Sequence, residues 1–221
     1  MALRATTLAF VLFAGWAQAD RGALTLDVGG GGTVLLLSAP FTARSAPLLS
    51  TMASGRIGLR YALSDAFEVT LDGTYEPRVT AYHSGVTVDT SHPDFTGPDA
   101  GRGLFNGTLT HSVERRALAA GARWIWGSVF RFHVGLDLGW SQRVYDRFDH
   151  IDLSASSPRS HGLRIRPLAL SSLLFAPVAG LEWAFADKWS VSLMPRLEML
   201  AGPAPLVGVA VPLVLSHSWY L

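Results

Sequence analysis

The stretch RIGLRYALSDAFEVTLDGTYE, Arg56 to Glu76, decides the fold. Ile57, Leu59, Tyr61 and Leu63 alternate with Arg56, Gly58, Arg60 and Ala62. After a turn at Ser64-Asp65-Ala66, Phe67, Val69, Leu71, Gly73 and Tyr75 alternate with Glu68, Thr70, Asp72, Thr74 and Glu76. A period of two is the signature of a strand whose two faces meet different surroundings. Two such runs around a short turn predict an antiparallel hairpin with one apolar and one polar face.

The unit recurs. Leu118 to Trp126 and Phe130 to Trp140 flank a turn at Gly127-Ser128. Leu181 to Phe185 and Trp189 to Leu197 flank a turn at Ala186-Asp187-Lys188. One more strand runs from Leu24 through Gly29 to Gly32 into Leu37, and another from Val207 to Leu221, which makes eight. Short turns near Asp65, Gly127 and Asp187 alternate with longer Pro-, Ser-, Asp- and Gly-rich segments near 38–54, 83–106 and 145–162 and a short link at 202–205. Such segments suit loops. The pattern predicts one domain built of hairpins.

Composition narrows the class. Of 221 residues, 49% are hydrophobic and 16% charged, with no cysteine and a formal charge of +1. That is too apolar for disorder. It leaves no disulfide or thiolate metal site, and the charge balance lacks the basic excess of a nucleic-acid binder. Residues 1–19 predict a secretory signal: Arg4, an apolar stretch from Leu8 to Gly15, and an A-x-A site ending at Ala19. Cleavage there leaves 20–221 as the barrel domain, and that remainder holds no apolar run approaching the roughly 20 residues of a helical span.

Side-chain size tells which face points outward. Tyr61, Phe67, Tyr75, Trp124, Trp126, Phe130, Phe132, Trp140, Trp183, Phe185 and Trp189 share the apolar face. They would overfill an eight-stranded lumen, which side chains just fill. Tyr61, Phe67, Trp124, Trp126, Phe130, Trp183, Phe185 and Trp189 lie near the short turns and Trp140 toward the long loops, as aromatic girdles do. The expectation is an all-β, eight-stranded, antiparallel up-and-down transmembrane β-barrel.

On the signal, the strand count, the loop alternation and the apolar last strand, the chain resembles the small eight-stranded outer-membrane barrels of Gram-negative bacteria, the OmpA/OmpX-like class. Members usually end on an aromatic residue; this chain ends Trp219-Tyr220-Leu221. The resemblance implies an outer-membrane location, contact with outer-membrane lipid and lipopolysaccharide, and insertion by the barrel-assembly machinery.

An inward polar face places Asp27, Arg56, Arg60, Glu68, Asp72, Glu76, Arg123, Arg131, His133, Asp137, Glu182, Arg196 and Glu198 in the lumen. Buried charges require partners, so an Arg–carboxylate network that plugs the barrel is expected. Function then lies in the outward loops and in strands extending past the bilayer, whose edges could pair with an envelope protein partner. Phe95, Phe105, Tyr145 and Phe148 are the candidate loop contacts. A narrow transport barrel for small solutes is the alternative reading, and a lipid A-modifying enzyme a further one. His111-Ser112 and His83-Ser84 are poor catalytic pairs, because strand neighbours face opposite sides unless a bulge intervenes. His92, Asp94 and Asp89 with Asp99, and Asp146 and Asp149 with His150 and Asp152, read as solvated loop residues. No metal, cofactor or nucleic acid is expected.

Overall fold

The computed structural model describes residues 21–37, 42–44, 48–91, 95–96, 101, 103–152, 159–161, 164–165, 167–202 and 205–220. The predicted signal and its Ala19 site, and the terminal Leu221, lie outside them.

Among the described residues eight long strands close into a ring. They are β1 (Ala23–Leu37), β2 (Leu48–Ser64), β3 (Phe67–Asp89), β4 (Leu104–Trp126), β5 (Phe130–Asp152), β6 (Leu168–Ala186), β7 in two pieces (Trp189–Leu193 and Arg196–Ala201) and β8 (Leu206–Tyr220). Each pairs antiparallel with its neighbour in sequence, and β8 closes on β1 from Ala23↔Tyr220 to Leu35↔Gly208. Pro195 lacks an N–H and interrupts β7, yet its carbonyl still accepts from Ala179 at 3.1 Å. Closure satisfies the backbone without leaving an edge in lipid.

The outward face is apolar around the whole ring. Ile57, Leu59, Leu71, Leu118, Leu138, Leu181, Val209 and Leu213 are all exposed. Trp124, Trp126, Phe130, Trp183, Phe185, Trp189 and Trp219 border this band at the short-turn end, and Tyr75 and Trp140 at the other. Phe67 is half-buried edge-on against Trp124, with centroids 5.1 Å apart. Phe67 to Tyr75 is nine residues, against the roughly 9–11 of a tilted membrane strand.

Strands β3, β4 and β5 have 23 residues each and run well past this band. They take in parts of the segments expected as loops, at 83–89, 104–106 and 145–152. The reason is a reversal of pattern. Beyond the band, apolar residues turn inward: Val86, Val88, Leu109, Val113, Tyr145 and Phe148 are buried with Leu35, Met52, Leu174, Leu200 and Leu206. The barrel is inside-out within the band and conventional above it. The tips of the extension are flanked by chain segments, Thr42–Arg44 on β3 and Arg159–His161 on β5, and Phe95–Thr96 pairs with Arg164–Ile165.

One seam breaks the ring above the band. Pairing of β2 with β3 reaches Gly55↔Tyr75 and, among the described residues, resumes only where Thr42–Arg44 meets Thr87 and Val88. The β3–β4 register shifts between Glu76 and Val79. Pro77 sits in that bulge; it cannot donate to a ladder, and a bulge sharpens the local twist, so β3 turns away from β2 there.

Candidate functional site

Alternation aims one residue in two at the lumen, and in β1 to β7 those within the band are mostly charged or small. All twelve expected network residues point inward, eleven of them fully buried and Arg131 partly. They form stacked layers.

At the short-turn end Ala23, Ala62 and Ile125 pack together. Above them Arg60 is surrounded by carboxylates: Nε lies 2.9 Å from Asp27, and Nη1 lies 2.8 Å from Glu182 and 3.4 Å from Glu68. His133 stands between the same two glutamates, Nδ1 3.3 Å from Glu68 and Nε2 3.4 Å from Glu182. Arg131 joins Glu182 at 3.4 Å. In the next layer Arg56 clamps Asp72 through Nε at 3.0 Å and Nη2 at 2.6 Å, the two-pronged geometry of a guanidinium on a carboxylate. Arg123 bridges Asp72 at 3.1 Å and Asp137 at 3.4 Å. In the third layer Arg115 lies 3.0 Å from Glu76 and is paired with Glu198, which also meets Arg196 at 2.7 Å. Arg196 donates to Thr74 at 3.0 Å.

Glycine makes room for these groups. A methyl at Gly58 would collide with the Asp72 carboxylate, and one at Gly121 with that of Asp137. The short-turn mouth keeps a recess of about 40 Å³ lined by Thr25, Arg60, Glu68, Arg131, Glu182 and Lys188, room for water and little else.

Two arginines escaped the sequence reading. Arg115 and Arg143 are buried in the lumen. The signal was present: stepping by twos back from Ala119 reaches Ala117 and Arg115, and forward from Asp137 reaches Gly139, Ser141 and Arg143. With them the inward arginines rise from five to seven, against seven acids. Arg143 donates to the Tyr145 hydroxyl at 3.2 Å.

The expected loop contacts fare unevenly. Tyr145 and Phe148 are corrected: both lie on β5 and are buried, because apolar residues turn inward past the band. Phe95 and Phe105 have described backbones, in a short strand and in β4, while their side chains lie outside the described residues. His111 and Ser112 face opposite sides of β4: His111 is paired with the inward Ala81, Ser112 with Thr80 and Asp146 of the outward face. The β4–β5 register shifts between Thr110 and Ser112, and both side chains are buried. The His111 ring nonetheless turns to His83, with Nε2 atoms 3.0 Å apart. Asp146 lies on β5 and pairs with Arg78 at 2.9 Å on the outward face, where Glu114 holds Arg116 at 2.7 Å. Among the described residues no group of three or more His, Asp or Glu could hold a metal ion.

No family model matches the chain, and no curated protein matches it. The fold is similar to that of the crystal structure of Neisserial surface protein A (NspA): TM-score 0.55 at 10% identity, covering 90% of this chain and 100% of that one. It is also similar to Ail, the attachment invasion locus protein of Yersinia pestis, in complex with the heparin analogue sucrose octasulfate: TM-score 0.52 at 9% identity, covering 90% of this chain and 99% of that one. At such identities the likeness concerns the fold, that of the small outer-membrane β-barrels.

Proposed function

We propose that the protein is a non-enzymatic, integral outer-membrane barrel that serves as a rigid anchor and presents an interaction surface outside the cell. The observation that carries this reading is the filled lumen. Three layers of paired charge are stacked beneath an apolar core, and ions crossing would have to break buried Arg–carboxylate pairs. Open water-filled channels belong to barrels of about 16 strands or more. The surface lies on the β3–β4–β5 extension, with exposed Tyr82 and Leu104, and on the strand segments that carry Phe95 and Phe105. Contact with lipopolysaccharide, insertion by the barrel-assembly machinery and removal of residues 1–19 after Ala19 belong to the same reading. The turn of His111 toward His83 rather than a hydroxyl supports a non-enzymatic role. Planar-bilayer recording tests the closed lumen: the wild-type barrel is expected to stay silent, and a sustained ohmic current would replace this reading with that of a transport barrel.

A further inference from the structure

Two buried titratable side chains lie outside the charged layers and play no part in closing the lumen. His83 on β3 and His111 on β4 are 3% and 0% exposed. Their Nε2 atoms face each other at 3.0 Å, with the rings within 22° of parallel. Tyr145 meets His111 edge-on at 5.3 Å between centroids, and Phe148 lies at 5.8 Å. Both histidines stand at bulges. The β3–β4 register shifts between His83 and Val86, and the β4–β5 register between Thr110 and Ser112. A bulge re-aims a side chain that plain alternation would place elsewhere. On β3 the shift between Glu76 and Val79 puts His83 in phase with the inward Ala81, and on β4 His111 continues the inward run of Val113, Arg115 and Ala117, so the two imidazoles meet eight residues past Tyr75, beyond the lipid-facing band.

The surroundings decide what a proton would do there. From β1, β2, β6, β7 and β8 the same core receives Leu35, Met52, Leu174, Leu200 and Leu206, none of which titrates. On β3 and β4, Glu76 is committed to Arg115 in the layer below. Glu114 and Asp146 lie on the outward face with Arg116 and Arg78. From β5 come Tyr145 and the cation Arg143, which donates to its hydroxyl. Among the described residues no carboxylate faces the pair. With both rings neutral, one Nε2–H donates to the other ring's lone pair. One added proton places a charge in an apolar core without a counter-ion, which is costly. A second leaves two N–H groups pointing at each other.

We propose that His83 and His111 form an acid-sensitive latch: neutral, they hold β3 to β4 within the outer core, and protonation releases the outer ends of β3, β4 and β5 while the membrane ring stays closed. Burial and the adjacent His83 push His111 down to about 4, and burial lowers His83 as well. A histidine depressed on folding contributes its stability in full above the unfolded value, about 6.5, and loses it as pH falls toward the folded one. The latch therefore weakens on acidification between those limits.

Hydrogen exchange in lipid nanodiscs, corrected for the intrinsic pH dependence of the rate, tests this. Between about pH 7.5 and about pH 4.5, protection over 79–89 and 104–113 is expected to fall by at least about tenfold. Protection over 56–64 and 67–75 stays constant. In H83L/H111L the fall disappears. Equal protection of the outer segments at both pH values in the wild type overturns the proposal, and so does an undiminished fall in the double variant. If the double variant does not reach the heat-modifiable folded form, His83→Gln replaces it; an undiminished fall there has the same meaning. The measurement is independent of conductance, so the latch and the closed lumen fail separately.

Discussion

Arg60 Nη1 lies 2.8 Å from Glu182 Oε2, joining β2 to β6 across the lumen with both side chains buried. The same guanidinium serves Asp27 and Glu68. Arg60→Ala would leave three buried carboxylates without their main partner, and breaking a buried pair costs about 3–5 kcal/mol. Denaturant unfolding in micelles should show that loss. Arg60→Lys is expected to recover only part of it, since an ammonium cannot reproduce the guanidinium's fork.

Gly58 and Gly121 are expected to reject even alanine. The added methyl meets the Asp72 or Asp137 carboxylate, each already held by Arg56 or Arg123. Overpacking a filled interior costs about 1–3 kcal/mol. Gly73→Ala, whose methyl would find ordinary contact distances, is the control, and its unfolding midpoint should move least.

The lipid face makes a prediction of opposite sense. Leu71 is exposed midway between Phe67 and Tyr75. Leu71→Arg should cost about 2–4 kcal/mol, as a cation at the bilayer midplane does. Thr80→Arg, on the outward face beyond Tyr75, should be nearly neutral. Refolding into bilayers, followed by heat-modifiable migration, separates the two.

The seam between β2 and β3 should be visible in hydrogen exchange at neutral pH. Amides facing it from 48–54 and 76–86 lack a strand partner among the described residues, whereas 56–61 are paired on both sides. Exchange at the seam is expected to be faster by orders of magnitude. Pro77→Val restores a donor and should slow it locally; unchanged exchange would assign the parting to the bulge rather than to the missing N–H.

Local chemistry made most of this legible. Alternation from Arg56 to Glu76 carries the strand period, and the crowd of aromatic side chains tells which face meets lipid. Every inward charge named from alternation does point inward. What alternation could not carry is where it stops applying. Bulges at Pro77 and at His83–Val86 shift the phase of β3, and one between Asp146 and Asp149 shifts that of β5, so Tyr145 and Phe148, three residues apart, are both buried. Tyr145 and Phe148 looked like loop anchors because apolar residues had so far meant outward; beyond the band the solvent changes from lipid to water and their meaning reverses. Which arginine meets which carboxylate is set by the stagger of the closed ring, which no single strand encodes.

That stagger bears on how the chain reaches the membrane. Arg60 and Glu182 are 122 positions apart, as are Arg196 and Thr74. A hairpin can pair part of its charge within itself, Arg56 with Asp72 and Arg123 with Asp137, but the contacts that cross the lumen wait for strands far along the chain. Only when β6 and β7 have joined β2, β3 and β4 do Glu182 and Glu198 meet Arg60 and Arg115. An unclosed ring therefore leaves these cross-lumen charges without their partners, and an unpaired charge is costly in lipid.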